Sequence, residues 1–327
     1  MIKLAIPQIT LIFFFLITLN TYSQNAVSAT VSRRDVHFIS GGVKLEGWLY
    51  IPVTSKGKKL PAIVMAPGFS GTRECNYQFF ASAFAEEGLI VLLFDYPNFG
   101  TSDGNVRGEA DPWQQVQSYR DGISFLETIP EVDPERIGLW GGSYSGGHVL
   151  AVSAMDPRVR CFVAMTPFVS GSAFLKHLPQ GSKNFLYHQF QADRLQRIKG
   201  GAAAKIPVAS PSATDFAAIG SPHAWEFIQS FKSYAPTYEN SVTLRSLEMQ
   251  LEYEPGYYVP LIGAVPKLFI IARGDEIMPE GQIMDAYNKA IEPKKMAYID
   301  GHHFSPYMEK RDEAIQLAMQ WFKAHLL

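Results

Sequence analysis

Two kinds of segment, which differ in the pattern of their apolar and polar positions, alternate along this chain. Continuous apolar runs, such as PAIVMAPG and LIVLLFDYP, are typical of strands buried on both faces of a parallel sheet. Segments with helical spacing lie between them, most clearly over residues 76–87 and 111–126. The first two strand segments, DVHFIS and KLEGWLYIP, flank Gly41 and Gly42 and form a predicted antiparallel pair. The alternation predicts an α/β fold with a mostly parallel central sheet flanked by helices.

This alternation stops between Pro167 and Pro266, where about a hundred residues are rich in aromatic residues, proline and glycine. It resumes with the strand segments KLFIIARGD and KKMAYID and with helices over 279–290 and 309–324. Loops of that length without structure of their own are rare in compact domains. We therefore predict one domain over 34–327, in which residues 169–265 form a cap inserted between two late strands.

The N-terminal segment has the pattern of a secretory signal peptide. An early Lys3 precedes the apolar run LIFFFLITL, and small residues follow near Ser23. A membrane anchor is the alternative, but the run is well short of the ~20 residues that a spanning helix needs. We predict a signal peptide over 1–23, cleaved in a bacterial host. The mature protein is then secreted or periplasmic and has no stable membrane insertion.

Composition narrows the classes of partner. The formal net charge is −2, whereas a nucleic-acid partner would require a concentrated basic surface, so none is expected. Two cysteines, Cys75 and Cys161, are too few for a disulfide framework or a four-cysteine zinc site. With 47% hydrophobic and 18% charged residues, the chain should form a substantial packed core.

The segment IGLWGGSYSGGHVL predicts a strand, a tight glycine-rich turn and a helix, and contains two candidate nucleophiles, Ser143 and Ser145. Small residues stand two positions before and after each serine, as a sharp turn requires, so this criterion does not separate them. The strand ends naturally at Gly141, which places Ser143 on the turn and leaves Ser145 at the helix start, with the helix running from about Gly146.

A serine needs a base to take its proton and an acid to orient that base. Asp275 follows one buried strand in IIARGDEIMP, and the histidine pair His302 and His303 follows the next in YIDGHHFSPY. The carboxyl ends of strands are where α/β sheets hold their sites. The chain order serine, acid, histidine is that of one known serine-hydrolase fold.

From about residue 34 to its end the chain resembles the α/β-hydrolases, in the branch of dienelactone-hydrolase-like enzymes, Xaa-Pro-peptidase-like esterases and polyketide-transferase-like hydrolases. The motifs that carry this resemblance are PAIVMAPGFSGTRE, FDYPNFGTSDG, DPWQQVQSYRDGISFL, VDPERIGLWGGSYSGGHVL, ARGDEIMP and GHHFSPY. Their order along most of the chain makes the match specific.

The resemblance implies roles for individual residues. The pattern Trp-Gly-x-Ser-aromatic-small-Gly-Gly aligns Ser143 with the nucleophile, Gly-His-Phe-x-Pro-Tyr aligns His303 with the base, and Asp-x-x-x-Pro aligns Asp275, not the adjacent glutamate, with the acid. Backbone amides of Phe69 and Tyr144 are expected to form the oxyanion hole. Relatives usually have His-Gly where this chain has Pro-Gly before residue 69, a small departure because the donor is the next amide.

The function implied is hydrolysis of a small-molecule ester or lactone through an acyl-enzyme, with no metal or organic cofactor. A peptidase that cleaves short peptides is one alternative, and a non-catalytic binding protein with this fold is another. The peptidase would need an acidic subsite for a free N-terminus, for which the cap offers Glu226, Glu239, Glu248, Glu252 and Glu254. The oligomeric state is left open.

The cap also contains many aromatic side chains. We expect them to form an apolar wall over the site, with about a third of them lining it and the rest forming cap core. These aromatic residues include Phe185, Tyr187, Phe190, Trp225, Phe227, Tyr257 and Tyr258.

Overall fold

The computed structural model describes residues 30–53, 57–212 and 214–327. Its centre is an eight-stranded sheet with the strand order β1-β2-β4-β3-β5-β6-β9-β10. These strands are β1 (Val31–Ser40), β2 (Val43–Pro52), β3 (Leu60–Ala66), β4 (Ile90–Phe94), β5 (Val132–Gly142), β6 (Val159–Met165), β9 (Lys267–Ala272) and β10 (Lys294–Ile299). Two short strands, β7 (Lys205–Ile206) and β8 (Val242–Thr243), pair separately within the cap.

The pairing directions explain the apolar patterns of the strands. β1 and β2 pair antiparallel across the glycine turn, and β2 pairs antiparallel with β4. All the other pairs of the eight-stranded sheet are parallel. All five residues of β4 and all six of β9 are buried, as expected for strands covered on both faces. The predicted mostly parallel sheet is confirmed.

Helices cover both faces of this sheet and form most of the cap. The helices of the core are α1 (Tyr77–Glu86), α2 (Pro112–Glu127), α3 (Tyr144–Met155), α8 (Glu280–Lys289) and α9 (Arg311–His325). Those of the cap are α4 (Gly171–His177), α5 (Gln180–Ile198), α6 (Pro222–Phe231) and α7 (Leu244–Glu252). Asp111 caps α2 by accepting hydrogen bonds from the amides of Trp113 and Gln114, and Pro112 occupies the first turn.

The cap lies between β6 and β9 in the chain, and these strands are neighbours in the sheet. In α6 the side chains of Ala224, Ile228 and Phe231 are buried, which is one face of a helix. Close backbone approach joins cap and core: a Cβ on Gly147 of α3 would lie 2.5 Å from the carbonyl oxygen of Phe168 and 2.9 Å from a side-chain carbon of Pro255. The residue that precedes the cap and a proline in its last part therefore pack against the helix that follows β5.

One boundary differs from the sequence expectation. The helix after β5 begins at Tyr144, about two residues earlier than predicted, and Ser143 itself is the residue that precedes it. The reason is the backbone of Ser143, which has φ 58° and ψ −120° and reverses the chain in a single residue. The turn is thus shorter than the sequence pattern indicated.

Candidate active site

Ser143 occupies a strained turn between β5 and α3. A positive φ is uncommon outside glycine and is retained where the surroundings enforce it, often at functional positions. Here the surroundings are backbone hydrogen bonds: the Ser143 amide donates to Met165 at 2.8 Å, and the Ser143 carbonyl accepts from Phe168 at 2.9 Å and from Gly147 at 3.2 Å. The end of β6 and the residues directly after it therefore hold the turn that presents the Ser143 hydroxyl.

The two serines of the motif have different surroundings. Ser145 is fully buried, and its Oγ lies 2.9 Å from both the amide nitrogen and the carbonyl oxygen of Gly142. A Cβ on Gly141 would lie only 2.2 Å from the Ser145 carbonyl oxygen, so the turn brings these two backbones into contact. Ser145 is thus part of the support of the turn, and Ser143 is the serine whose hydroxyl meets a histidine.

That histidine is His303. Its Nε2 lies 2.9 Å from Ser143 Oγ, and its Nδ1 lies 2.7 Å from Asp275 Oδ2. The other carboxylate oxygen, Asp275 Oδ1, accepts from the amides of Ile277 at 2.9 Å and Met278 at 2.6 Å. Because the carboxylate accepts from Nδ1–H, Nε2 is left as an acceptor for the serine hydroxyl. The structure brings together the three side chains that the sequence pattern selected.

His302 faces elsewhere. Its ring stacks on that of His223 in the cap, with centroids 3.9 Å apart, and its Nδ1 accepts from the amide of Phe304 at 3.1 Å. His223 in turn lies 2.9 Å from Glu276 Oε1 through its Nδ1. His302 therefore joins the loop after β10 to the cap.

The loop that carries Phe69 lies directly against Ser143. A Cβ on Gly68 would come within 3.3 Å of Ser143 Cβ, and the ring of Phe69 packs edge-on against that of Tyr144, with centroids 5.4 Å apart. The Tyr144 amide is in the first turn of α3, where amides lack an intrahelical acceptor. Tyr77, which sequence reasoning did not select, accepts from the Gly68 amide at 2.8 Å and so fixes this loop.

Two cavities open at Ser143, and both contact Phe69 and Ile219. The smaller lies between the core and α6 and is lined on the core side by Ser143, His303 and Phe304. The cap contributes an apolar wall to it. That wall consists of Val208, Ile219, Ala224, Phe227, Ile228 and Phe231.

The larger cavity is lined on the core side by Ser143, Tyr144 and Glu276. Glu276 Oε1 accepts from the hydroxyl of Ser221 at 2.6 Å as well as contacting His223. Burial opposes ionisation of this carboxylate, but the hydrogen bonds from Ser221 and His223 outweigh it and lower the pKa of Glu276 to about 2. The carboxylate of Glu276, which the sequence motif did not select as the catalytic acid, therefore lines the site.

Four of the thirteen aromatic residues in the cap line a cavity, in agreement with the expected third, and they are Phe174, Phe227, Phe231 and Tyr238. Others lie away from both cavities: Phe185, Tyr187 and Tyr257 are exposed, and Phe190 is buried within the cap. None of the five cap glutamates lines a cavity: Glu248 pairs with Arg194, for example. The five glutamates therefore supply no acidic subsite at either cavity.

Other reactive side chains near the site are packed and unreactive. His148 is fully buried on α3 between the hydroxyl of Tyr253 and the side chain of Gln115, and burial lowers its pKa to about 3. Cys75 lines the smaller cavity, where burial raises the pKa of its thiol to about 12, so thiolate chemistry is disfavoured. Within the described ranges no cluster of three or more His, Cys, Asp or Glu residues could hold a metal ion, and no helix is long and apolar enough to cross a membrane.

A mostly parallel sheet of this strand order, with a serine on a strained turn after β5, defines an α/β-hydrolase. Comparison with known proteins agrees. The family model of the X-Pro dipeptidyl-peptidases, the S15 family, matches residues 41–204. This chain belongs to that α/β-hydrolase family, which confirms the resemblance drawn from the motifs.

Two curated relatives and one solved structure are similar to most of this chain. The quorum-quenching protein AidA of Acinetobacter baumannii is 30% identical over 281 residues, which cover 86% of this chain and 91% of that protein. The thiohydrolase AneE of Aspergillus aculeatus is 29% identical over 277 residues, covering 82% and 86%. The solved structure of the α/β-hydrolase GrgF from Penicillium superposes with a TM-score of 0.78 at 24% identity, covering 90% of this chain and 99% of that one. The chain is thus a member of a group of hydrolases and acyl-transfer enzymes.

Proposed function

We propose that this protein is a serine hydrolase that cleaves carboxylic ester or lactone bonds through an acyl-enzyme. The observation that carries the proposal is the continuous hydrogen-bonded series from Asp275 through His303 to Ser143, with separations of 2.7 and 2.9 Å. Ser143 lies at the meeting point of two cavities, one for each side of a scissile carbonyl group.

Each group has a role in this reaction. His303 Nε2 takes the proton as Ser143 Oγ attacks the carbonyl carbon, and Asp275 stabilises the imidazolium that forms. The amides of Phe69 and Tyr144 hold the negative oxygen. His303 then delivers its proton to the leaving group, which departs and leaves the acyl group on Ser143. Water attacks the acyl-enzyme by the same route, with His303 again acting as base.

A fluorophosphonate probe tests the assignment of the nucleophile. We expect the wild-type protein to label, Ser143→Ala to abolish labelling and lower turnover by roughly 10³-fold or more, and Ser145→Ala to retain labelling. Ser145→Ala is the matched control because the same hydroxyl is removed two residues away. Labelling that depends on Ser145 would overturn the assignment, and no labelling of folded wild-type protein would favour a non-catalytic binding protein.

Peptide hydrolysis is the second candidate, favoured by the family model and by the carboxylate of Glu276 at the larger cavity. A panel of simple esters, lactones, thioesters and aminoacyl-prolyl amides separates the two. Thioesters are included because one relative is a thiohydrolase. We expect turnover of oxygen esters; a protein that labels with the probe and cleaves only the amides is a peptidase.

We also propose that the protein acts outside the bacterial cytoplasm, as a secreted or periplasmic enzyme. The support is the signal-like pattern over 1–23, which lies outside the described residues. Cell fractionation followed by N-terminal sequencing checks this. The mature chain is expected to begin at Gln24, and an intact N-terminus in the cytoplasmic fraction would contradict the proposal.

A further inference from the structure

The two cavities at Ser143 differ in chemistry. The smaller is bounded by the apolar cap wall described above, whereas the larger includes the carboxylate of Glu276, the hydroxyl of Ser221 and the side-chain amide of Gln250. A carbonyl substrate has two substituents, the acyl chain and the leaving group. If Ser143 is the nucleophile, as proposed above, each substituent occupies one of these cavities.

The position of His303 decides which substituent goes where. The leaving group must receive its proton from His303 Nε2, so it must lie on the histidine side of Ser143. His303 lines the smaller cavity and is absent from the lining of the larger one. The larger cavity is lined instead by Tyr144, the residue after the nucleophile. The leaving group therefore belongs in the smaller cavity and the acyl chain in the larger.

The wall of the larger cavity is mixed. Phe174, Leu247 and Leu251 supply apolar surface that suits a hydrocarbon chain. Both side-chain contacts to Glu276 go to Oε1, which leaves Oε2 without a side-chain partner in the described part of the chain. Gln250, at the end of α7, has an Oε1 with no hydrogen-bond partner among the same residues. A purely hydrocarbon acyl chain would cover these polar groups without satisfying them, at a cost in free energy.

We propose that the larger cavity binds an acyl chain that carries a hydroxyl group, and that Gln250 and Glu276 recognise this hydroxyl. A hydroxyl both donates and accepts hydrogen bonds, so it complements a carboxylate and either end of a side-chain amide. The apolar remainder of the chain packs on the leucines and on Phe174. This inference rests on the proposed serine hydrolase function and adds the class of acid that the enzyme releases.

Phenyl esters that share one leaving group test this. The substrates are phenyl heptanoate, phenyl 3-hydroxyheptanoate and phenyl 6-hydroxyhexanoate, the last of which replaces the terminal methyl group of heptanoate by a hydroxyl. We expect kcat/KM for at least one hydroxyacyl ester to exceed that for heptanoate by about 2- to 10-fold, the net effect of one hydrogen bond. Gln250→Leu and Glu276→Gln should each reduce that ratio, while Gln191→Leu, on the exposed face of the cap helix α5, should not.

Failure of the inference is distinguishable from failure of the proposed function. If phenyl heptanoate hydrolysis survives Ser143→Ala, the proposed function fails. If hydrolysis depends on Ser143 but wild-type enzyme prefers heptanoate to both hydroxyacyl esters, the acyl assignment alone is overturned. A hydroxyl preference that persists unchanged in both Gln250→Leu and Glu276→Gln also overturns it. Competitive inhibition of the wild type by heptanoate and 6-hydroxyhexanoate provides a comparison that needs no variant.

Discussion

Replacing Gly141 by alanine should strongly reduce kcat/KM, because the added methyl group displaces the backbone that follows Ser143. A Cβ built on Gly141 lies 2.2 Å from the carbonyl oxygen of Ser145, 2.6 Å from its carbonyl carbon and 2.9 Å from the amide nitrogen of Gly146. Real Cβ atoms essentially never come closer than 3.0 Å to a non-bonded heavy atom outside the adjacent residues. All three neighbours are backbone atoms, so no side-chain rotation can relieve the clash.

The size of the effect follows from the movement required. The Ser145 carbonyl must move away by nearly 1 Å, and it belongs to the first turn of the helix that Ser143 precedes. Overpacking of this kind costs about 1–3 kcal/mol of folding free energy. A misplacement of about 1 Å in a catalytic group can cost on the order of 100-fold in rate. We therefore expect Gly141→Ala to lower kcat/KM by roughly 100-fold in a protein that still folds.

Gly181→Ala is the matched control, because a Cβ at Gly181 in α5 meets no atom within 4 Å. This variant should retain activity and should be as stable as the wild type or slightly more so, since alanine favours a helix over glycine by roughly 0.5–1 kcal/mol. The assays are phenyl ester hydrolysis and thermal unfolding by circular dichroism. Wild-type kcat/KM and melting temperature in Gly141→Ala would refute the close approach of these backbones.

Three further predictions concern side chains around the site. His303→Ala should reduce turnover by about as much as loss of the nucleophile, roughly 10³-fold. His302→Ala should reduce turnover by less than about 10-fold, because the His302 side chain only joins a loop to the cap. Equal losses of ester hydrolysis in the two variants would contradict these roles. Phe227→Ala should widen the smaller cavity and raise kcat/KM for naphthyl relative to methyl esters by about 10-fold, while Phe185→Ala, whose side chain is exposed, should leave the ratio unchanged. Glu276→Gln should lower the melting temperature at pH 7 by about 2 °C, for a hydrogen-bonded carboxylate worth about 1 kcal/mol after allowance for its partial exposure. Because the pKa of Glu276 falls from 4.5 to about 2 on folding, this stabilisation is complete above pH 4.5 and lost as the pH falls towards 2. The melting temperatures of the wild type and Glu276→Gln should therefore converge over that range. A difference in melting temperature that persists at pH 2 would contradict the expected direction of the pH dependence.

The alternation of strands and helices in the core could be predicted because it depends on local patterns. Strands β4 and β9 are continuous apolar runs, and such runs indicate burial on both faces whatever the rest of the chain does. Asp275 and His303 could be selected for a related reason: Asp275 follows the buried strand β9, His303 follows its parallel neighbour β10, and the carboxyl ends of parallel strands meet at one edge of the sheet. Position in the chain alone therefore placed them near one another.

The cap could not be resolved in the same way, because its residues take their roles from packing against the core. Phe227 lines a cavity whereas Phe185 is exposed, although both are phenylalanines on cap helices. Which of them faces Ser143 depends on how each helix is rotated and where it lies, and composition carries no information on either.

The larger cavity shows most clearly which features follow from the sequence pattern and which depend on tertiary packing. From the sequence alone, Glu276 was a residue beside the predicted acid, and five other glutamates were better candidates for an acidic subsite because they lie in the cap. The folded chain brings the start of α6 against the loop after β9, so that Ser221 and His223 bind the Glu276 carboxylate at the mouth of the site. Sequence determined the sheet and the order of its reactive residues through short-range periodicity. Tertiary structure decided the substrate-facing surface, because that surface forms only where segments distant in the chain pack together.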